Sequence, residues 1–228
     1  MRADNGKIGY NSVKSMISPK ELPKLKEKGG KIIKILKKLF PDAQIALNFG
    51  NPWELLVAVV LSAQCTDKKV NEVTEKLFKK YRRLDDYMKA NPREFEKDIK
   101  STGFYHNKAK SILAAARVVK EKFHGKLPKT MVDILEIPGV GRKSANVILG
   151  NVYGVVEGIA VDTHVRRLAG VLGLSKEKTP EKIEQDLMKI IPKKNWFEIT
   201  YLLIDYGRKY CQAKPHDHKN CPLTKILG

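Results

Sequence analysis

A short glycine turn between two apolar helical stretches, within residues 135–149, restricts the fold of this chain more than any other segment. Residues 139–141 read Gly-Val-Gly, and Arg142 and Lys143 open the stretch that follows. Glycines on both sides of one apolar residue predict a tight hairpin with backbone N–H groups exposed at the start of a helix. Those N–H groups and the helix dipole both favour an anion. The sequence therefore predicts two helices joined by a hairpin that binds an anion.

The remaining apolar residues follow helical spacing, and no segment alternates convincingly with a period of two. Residues 55–61 are apolar on every face, which predicts a buried helix. We therefore expect an all-α fold. Helix starts are predicted near Lys31, at Asn51-Pro52, at Thr66 or Asp67, and at Thr179-Pro180, and a last apolar helix is predicted over 196–206.

Composition limits the classes to which the chain can belong. Its 228 residues, 42% of them hydrophobic, suffice for one large domain or two small ones. The net charge of +19 attracts phosphates, although a highly charged solvated surface would look the same. There is no apolar run long enough for a membrane span, no visible signal peptide, and only three cysteines, so we expect a cytosolic protein that does not act at a membrane.

Three blocks of sequence carry a family resemblance. They are 137–143 with Val-Asp-Thr-His at 161–164, Leu-Ser-Ala-Gln-Cys-Thr-Asp at 61–67 followed by Val-Asn at 70–71, and 102–109. In this order they resemble the endonuclease III branch of the helix-hairpin-helix DNA glycosylases, over about residues 32–227. The resemblance implies base excision repair by a bifunctional DNA glycosylase with AP lyase activity. Its substrates would be oxidised pyrimidines and abasic sites in duplex DNA.

The same resemblance implies two helical domains flanking a DNA-binding cleft. A six-helix barrel with the helix-hairpin-helix motif would span 45–154, and residues 31–44 plus 155–228 would form the second domain. Residues 1–30 mix glycine, serine and many lysines, so we expect a basic, partly disordered arm that either touches phosphates or is merely solvated. We expect a monomer located in the cytoplasm with the nucleoid.

The resemblance assigns the chemistry to Lys143 and Asp162. The Lys143 amine would attack C1′ of a damaged nucleotide, and both the helix N-terminus and Arg142 should favour the neutral amine that attack requires. Asp162 would stabilise positive charge that develops on the sugar. The alternatives are an ordinary phosphate-binding lysine and a plain N-cap aspartate, although Asp162 could serve as both cap and catalyst.

DNA contacts are implied at six further positions. Gln64 would fill the gap left by an extruded nucleotide, and Phe104 would wedge between bases where the family more often has an aliphatic residue. The alternatives are a buried amide and a core ring. The glycines would let the backbone approach a phosphate, or would simply form a turn. The positions are Gln64, Phe104, Gly139, Gly141, Arg142 and, in a supporting role, His164.

The C-terminal segment departs from the family. Most members end in Cys-x6-Cys-x2-Cys-x5-Cys around a [4Fe–4S] cluster, but here that register reads Cys211, His218, Cys221 and Leu227. We therefore expect no cofactor, no iron–sulfur cluster and no metal, with the loop held by apolar contacts of 222–227. Two alternatives stay open: a cluster with altered ligation, and zinc bound by Cys211, His216, His218 and Cys221.

Two other functions are weighed against the implied one. A monofunctional mismatch glycosylase of the same superfamily usually lacks the lysine found here at Lys143. A non-catalytic DNA-binding protein built on the same fold would have no need of both Lys143 and Asp162.

Overall fold

The computed structural model describes residues 17–227, with side chains through Thr224, and this part of the chain contains α-helices, short 3-10 helices and no strand. The all-α prediction is confirmed. None of the helices described between residues 17 and 227 is long and apolar enough to cross a membrane. The helices are α1 (Leu22–Leu39), α2 (Pro52–Leu61), α3 (Asp67–Lys80), α4 (Leu84–Lys89), α5 (Pro92–Ile99), α6 (Tyr105–Glu121), α7 (Met131–Ile134), α8 (Arg142–Tyr153), α9 (Thr163–Val171), α10 (Pro180–Ile190), α11 (Trp196–Lys209) and α12 (Pro222–Leu227).

The chain divides into two compact units. The hairpin unit comprises residues 42–160 and 196–202, and the terminal unit comprises the described residues up to 41, 161–195 and those from 203 onward. The hairpin unit contains α2 to α8, seven helices of which α7 has only four residues. The predicted division at residues 45 and 154 stays a prediction, and the units differ from it chiefly at 196–202.

The first half of α11 belongs with the hairpin unit for physical reasons. The Tyr201 hydroxyl accepts a hydrogen bond from Asn151 Nδ2 at 2.6 Å, and Thr200 Oγ1 donates to the Ala160 carbonyl at 3.1 Å. Gly150 lies against the ring of Phe197, and a Cβ added to this glycine would be only 2.5 Å from the ring. Glycine at position 150 therefore allows α8 and α11 to approach closely.

Helix α2 forms the centre of the hairpin unit. Its residues 55–61 are all buried, as predicted, and it packs against α3, α6 and α8. Asn51 caps it by accepting from the Glu54 N–H at 3.0 Å, and Pro52 occupies the first turn. The predicted cap of α3 is Thr66, whose hydroxyl accepts from the Lys69 N–H at 3.3 Å. Capping residues read from the sequence thus mark where both helices begin.

Helix α1 begins at Leu22, so the predicted disordered arm is wrong for residues 22–30. Ser18 and Glu21 exchange hydrogen bonds ahead of the helix, and Pro23 lies in its first turn. Gly29 is buried, and its missing side chain lets α1 approach α10, where an added Cβ would lie 2.7 Å from Ile190. The buried Gly29 and the exposed Lys24 and Lys26, which suggested disorder, therefore belong to one packed helix. The arm over residues 1–16 lies outside the described residues.

Candidate active site

The glycine turn forms the predicted hairpin between α7 and α8. The Val140 N–H donates to the Ile137 carbonyl at 3.1 Å, and both of these side chains are buried. The Ala145 N–H donates to the Gly141 carbonyl at 2.9 Å and so closes the first turn of α8. The apolar residue of the hairpin thus anchors it to the core, and the N–H groups of residues 142–144 precede the first bond within the helix.

The two glycines of the hairpin serve different purposes. Gly139 has φ +83°, and a Cβ there would lie 2.8 Å from Ser111 Cβ, so both conformation and space require glycine. Gly141 has an ordinary φ of −95°, and nothing lies within 4 Å of an added Cβ. The turn alone accounts for Gly139. It does not account for Gly141, whose absent side chain leaves the start of α8 open to a ligand.

Arg142 and Lys143 are the first two residues of α8, as the sequence predicted. Both are half-buried, so each keeps part of its side chain accessible. No acidic residue lies in this first turn, so the positive end of the helix dipole and two cationic residues coincide. This arrangement suits a phosphate or another anion.

Gln64 and Phe104 project from two loops of the hairpin unit. Gln64, between α2 and α3, has φ +53°, and Phe104, immediately before α6, has φ +48°. Gln64 is exposed, and the Phe104 side chain is 69% exposed. The alternatives of a buried amide and a core ring are therefore wrong. Left-handed backbone at residues other than glycine costs energy and is concentrated at functional sites.

Lys108, whose role sequence reasoning missed, joins these two loops. Its side chain is buried, and its Nζ donates to the carbonyls of Leu61 and Thr102 at 2.8 Å each. Burial lowers the pKa of the Lys108 amine. The signal was present in the sequence, because Lys108 falls on the same face of α6 as Ile112, at a spacing of four. One buried cation thus ties the end of α2 to the loop before α6.

The glycine hairpin meets the other two blocks of sequence at one groove of about 270 Å³ in the hairpin unit. It is bordered by both exposed loop residues, by Gly139 of the hairpin and by Ser144 of α8, one position beyond Lys143. The residues lining it are Val59, Val60, Ala63, Gln64, Phe104, Asn107, Lys108, Ser111, Gly139 and Ser144. Residues separated by about eighty positions in the chain therefore share one surface.

Asp162 and His164 lie in the terminal unit, at the start of α9. Asp162 is the N-cap, because its Oδ1 accepts from the Val165 N–H at 2.8 Å, and its side chain is half-buried. Within the described part of the chain, the buried His164 Nδ1 has no hydrogen-bond partner. Gly207 leaves room for it, since an added Cβ would lie 2.7 Å from that nitrogen. The capping role of Asp162 is shown, and it uses one carboxylate oxygen.

Comparison with known proteins gives the family. Residues 57–193 match the model of the HhH-GPD superfamily of base excision DNA repair proteins. Endonuclease III of Synechocystis sp. is 44% identical over 88% of this chain and 92% of its own length. Endonuclease III of Bacillus subtilis is 43% identical over 82% of this chain and 86% of its own length.

This chain belongs to the endonuclease III family. It is a base excision DNA repair enzyme, and its enzyme class is DNA glycosylase and AP lyase, which confirms the family and class predicted from the sequence. Its fold superposes on a trapped endonuclease III–DNA covalent intermediate with a TM-score of 0.84, at 42% identity over 88% of this chain and 94% of that one. A thermostable thymine-DNA glycosylase shares the fold at 21% identity, with a TM-score of 0.75.

This member of the endonuclease III family brings Cys211, His216, His218 and Cys221 together. Their ligand atoms all lie within 4.8 Å of one another. Both cysteines are buried. Burial is the main cause that raises the pKa of the Cys221 thiol, and the neighbouring Cys211 raises it further. All four side chains lie in the twelve-residue segment 210–221 between α11 and α12.

The residues present do not fit the [4Fe–4S] cluster of the endonuclease III family. The fourth ligand position is Leu227, which has no donor atom. Each ligand of a cubane binds a different iron and must stand well apart from the other three, whereas these four donors are crowded together. Of the apolar contacts expected to hold the loop, Leu223 is buried and Pro222 is half-buried, and the side chains of Ile226 and Leu227 lie outside the described residues.

Proposed function

We propose that this endonuclease III family member removes oxidised pyrimidines from duplex DNA and cleaves the abasic sites that result, with Lys143 as nucleophile and Asp162 as its carboxylate partner. The observation that carries the proposal is the position of Lys143. It occupies the first turn of α8, two residues after the open Gly141 and one residue before Ser144, which borders the groove of Gln64 and Phe104. A cytoplasmic location with the nucleoid is part of the same proposal.

DNA would be held mainly through its backbone. The hairpin offers N–H groups of residues 142–144, the helix dipole and the Arg142 guanidinium to a phosphate. The open space at Gly141 permits the close approach that such contacts need. The net charge of +19 adds attraction that does not depend on sequence. Binding of this kind positions the duplex without selecting a base.

The nucleotide must leave the base stack before Lys143 can reach its C1′ atom. Phe104 presents an exposed ring suited to wedging between bases, and Gln64 presents an amide that can hydrogen-bond to the base left opposite the gap. Lys108 holds the two loops in register. The unstacking cost of a few kcal/mol is thereby offset by contacts that form only with the extruded nucleotide.

The chemistry then follows from a neutral amine. Lys143 Nζ forms a bond to C1′ while the bond from C1′ to the base breaks, and the base leaves with a proton. Opening of the sugar ring gives an iminium that acts as an electron sink. Loss of the C2′ proton is followed by cleavage of the C3′–O bond, so the 3′ phosphate departs. Hydrolysis of the iminium returns the lysine. The second carboxylate oxygen of Asp162 would stabilise the cationic sugar while the first caps α9.

The solved relative supports this covalent route. An endonuclease III 42% identical to this chain has been trapped as a covalent intermediate with DNA. A monofunctional mismatch glycosylase forms no such intermediate, and a non-catalytic DNA-binding protein would form none either. Covalent trapping therefore separates the proposal from both alternatives.

Borohydride trapping is the test. Wild-type protein is incubated with duplex DNA that carries either thymine glycol or an abasic site, and borohydride reduces any iminium to a stable adduct. We expect an adduct with both substrates. Lys143→Gln should form none and should not cleave the strand, while its affinity for the duplex stays within about threefold, because the change removes only one of many contacts to phosphate.

Lys110→Gln is the matched control, since Lys110 is an exposed lysine on α6 and the change removes the same charge. It should trap and cleave like the wild type. An adduct formed by Lys143→Gln would place the nucleophile elsewhere. Trapping on abasic DNA but not on thymine glycol would leave the lyase intact and reject the assignment to oxidised pyrimidines.

A further inference from the structure

We propose that Cys211, His216, His218 and Cys221 bind one zinc ion in a structural site that replaces the iron–sulfur cluster of the family. The four side chains converge on one point of the terminal unit and offer two sulfur and two nitrogen donors. Two thiolates and two imidazoles are an established donor set for structural zinc. Zinc was the minor alternative in the sequence, because the spacing Cys-x4-His-x-His-x2-Cys is unfamiliar.

The distances match the edges of a tetrahedron around one ion. Zn–S and Zn–N bonds of about 2.3 and 2.0–2.1 Å give edges of about 3.5 Å between sulfur and nitrogen. Cys221 Sγ lies 3.4 Å from His216 Nε2 and 3.9 Å from His218 Nδ1, and Cys211 Sγ lies 3.7 Å from His218 Nδ1. Ligands on two different irons would stand farther apart than these.

His216 supplies the ligand that the family pattern lacks. His218 and the two cysteines occupy three of the four cluster positions, and the fourth, Leu227, cannot bind metal. His216 lies two residues before His218, and the two rings are 4.4 Å apart. His216 thus provides the fourth ligand atom of a site that would hold a single metal ion rather than a four-iron cluster.

Neighbouring groups already orient the ligands. His216 Nδ1 is 2.8 Å from the Lys214 carbonyl, which can only accept, so Nδ1 donates and the lone pair of Nε2, on the side of Cys221, can bind a metal ion. Arg167 Nη1 donates to Cys211 Sγ at 3.5 Å, and its Nη2 donates to the Cys211 carbonyl at 2.5 Å. These two contacts fix the orientation of Cys211, as outer-shell hydrogen bonds do for metal ligands.

The loop between the two cysteines also needs such an ion. Apart from His216, the residues at 212–220 are exposed, so little apolar burial orders them. Its hydrogen bonds reach only a few positions along the chain: the Asp217 carboxylate accepts from the Lys219 N–H, and the His218 carbonyl accepts from the Cys221 N–H and from Thr224 Oγ1. Zinc would join the end of α11 to the start of α12 and stabilise both.

Metal analysis of the full chain is the test. The protein is expressed in medium that contains both iron and zinc salts and is purified without oxygen. We expect about one zinc per chain with neither iron nor sulfide, and a colourless solution. Cobalt added to the metal-free protein should give the visible bands of a tetrahedral ion together with sulfur-to-cobalt charge transfer in the near ultraviolet.

Variants of two of the four ligands, each matched to a control, test whether the bound zinc occupies this site. Cys221→Ser and His216→Ala should each lose stoichiometric zinc, and His216→Ala keeps the test valid if the buried change prevents folding. Cys65→Ser and His124→Asn, which alter a cysteine and a histidine outside the cluster, should retain one zinc per chain. Near-stoichiometric iron and sulfide would overturn the proposal. So would wild-type protein that binds zinc no more tightly than Cys221→Ser.

Discussion

Gln64 and Phe104 belong to different loops, yet they border one groove and both have left-handed backbone, with φ values of 53° and 48°. A strained position of this kind costs on the order of 1–3 kcal/mol and persists only where the surroundings impose it. Lys108 is part of those surroundings, because its amine bonds to a carbonyl at the end of α2 and to another just before Phe104. The strained backbone therefore keeps the Gln64 and Phe104 side chains exposed, and Lys108 holds their two loops together.

Two substitutions of Phe104 separate the energetic cost of the left-handed backbone from the contribution of the ring to excision. Phe104→Gly and Phe104→Ala both remove the ring, but only glycine accepts the left-handed conformation freely. We expect the glycine variant to be more stable than the alanine variant by about 1 kcal/mol in urea unfolding. Both should excise a paired lesion more slowly, and the loss should shrink when the lesion lies in an already unstacked bulge. Equal stability of the two variants would reject backbone strain at this position.

Lys108→Met tests the brace between the loops. Methionine fills a similar volume but leaves two carbonyls without their donor, which costs about 1.5–3 kcal/mol for each hydrogen bond to a charged group. Because the substitution also removes a buried charge, we expect a net loss of about 2–3 kcal/mol. Hydrogen exchange should speed up at residues 62–66 and 102–104. Lys110→Met, on the exposed side of α6, is the control and should stay within about 0.5 kcal/mol of wild type.

Asp162 allows its two roles to be separated. Asparagine caps helices as well as aspartate does, so Asp162→Asn should keep its stability within about 0.5 kcal/mol while turnover falls strongly. Asp162→Ala should lose turnover and also about 1 kcal/mol of stability, because the Val165 N–H loses its acceptor. DNA affinity should change little in both variants. If Asp162→Asn turns over at the wild-type rate, the aspartate is a cap and nothing more.

The two hairpin glycines should respond in opposite ways to alanine. Gly139→Ala is expected to destabilise the protein by more than about 1 kcal/mol, because φ is positive and Ser111 blocks the new Cβ. Gly141→Ala should leave unfolding unchanged, since its φ is ordinary and its surroundings are open. It should nevertheless weaken DNA binding, which a salt titration by fluorescence anisotropy would measure. Unchanged binding by Gly141→Ala would argue against a phosphate at this turn.

Local features of the sequence determined the helices and the hairpin. Asn51 and Thr66 cap where predicted, and the Gly-Val-Gly turn leads into α8 with Arg142 and Lys143 in its first turn. Caps, turns and helical spacing depend on residues only a few positions apart, so they can be predicted from one sequence. The start of α1 was missed because Gly29 looks like a helix breaker unless its close packing on Ile190 is known.

Tertiary structure decided which distant residues meet. The sequence left Gln64 and Phe104 open to burial, and only the folded chain shows them exposed at one groove with Lys108 between their loops. For the segment of Cys211 and Cys221 it likewise left three possibilities open, namely no metal, a cluster with altered ligation, and zinc, whose spacing here was unfamiliar. Four donors within 4.8 Å favour zinc. Such convergence depends on how helices pack over long sequence separations, and spacing along a chain carries no direct record of that packing.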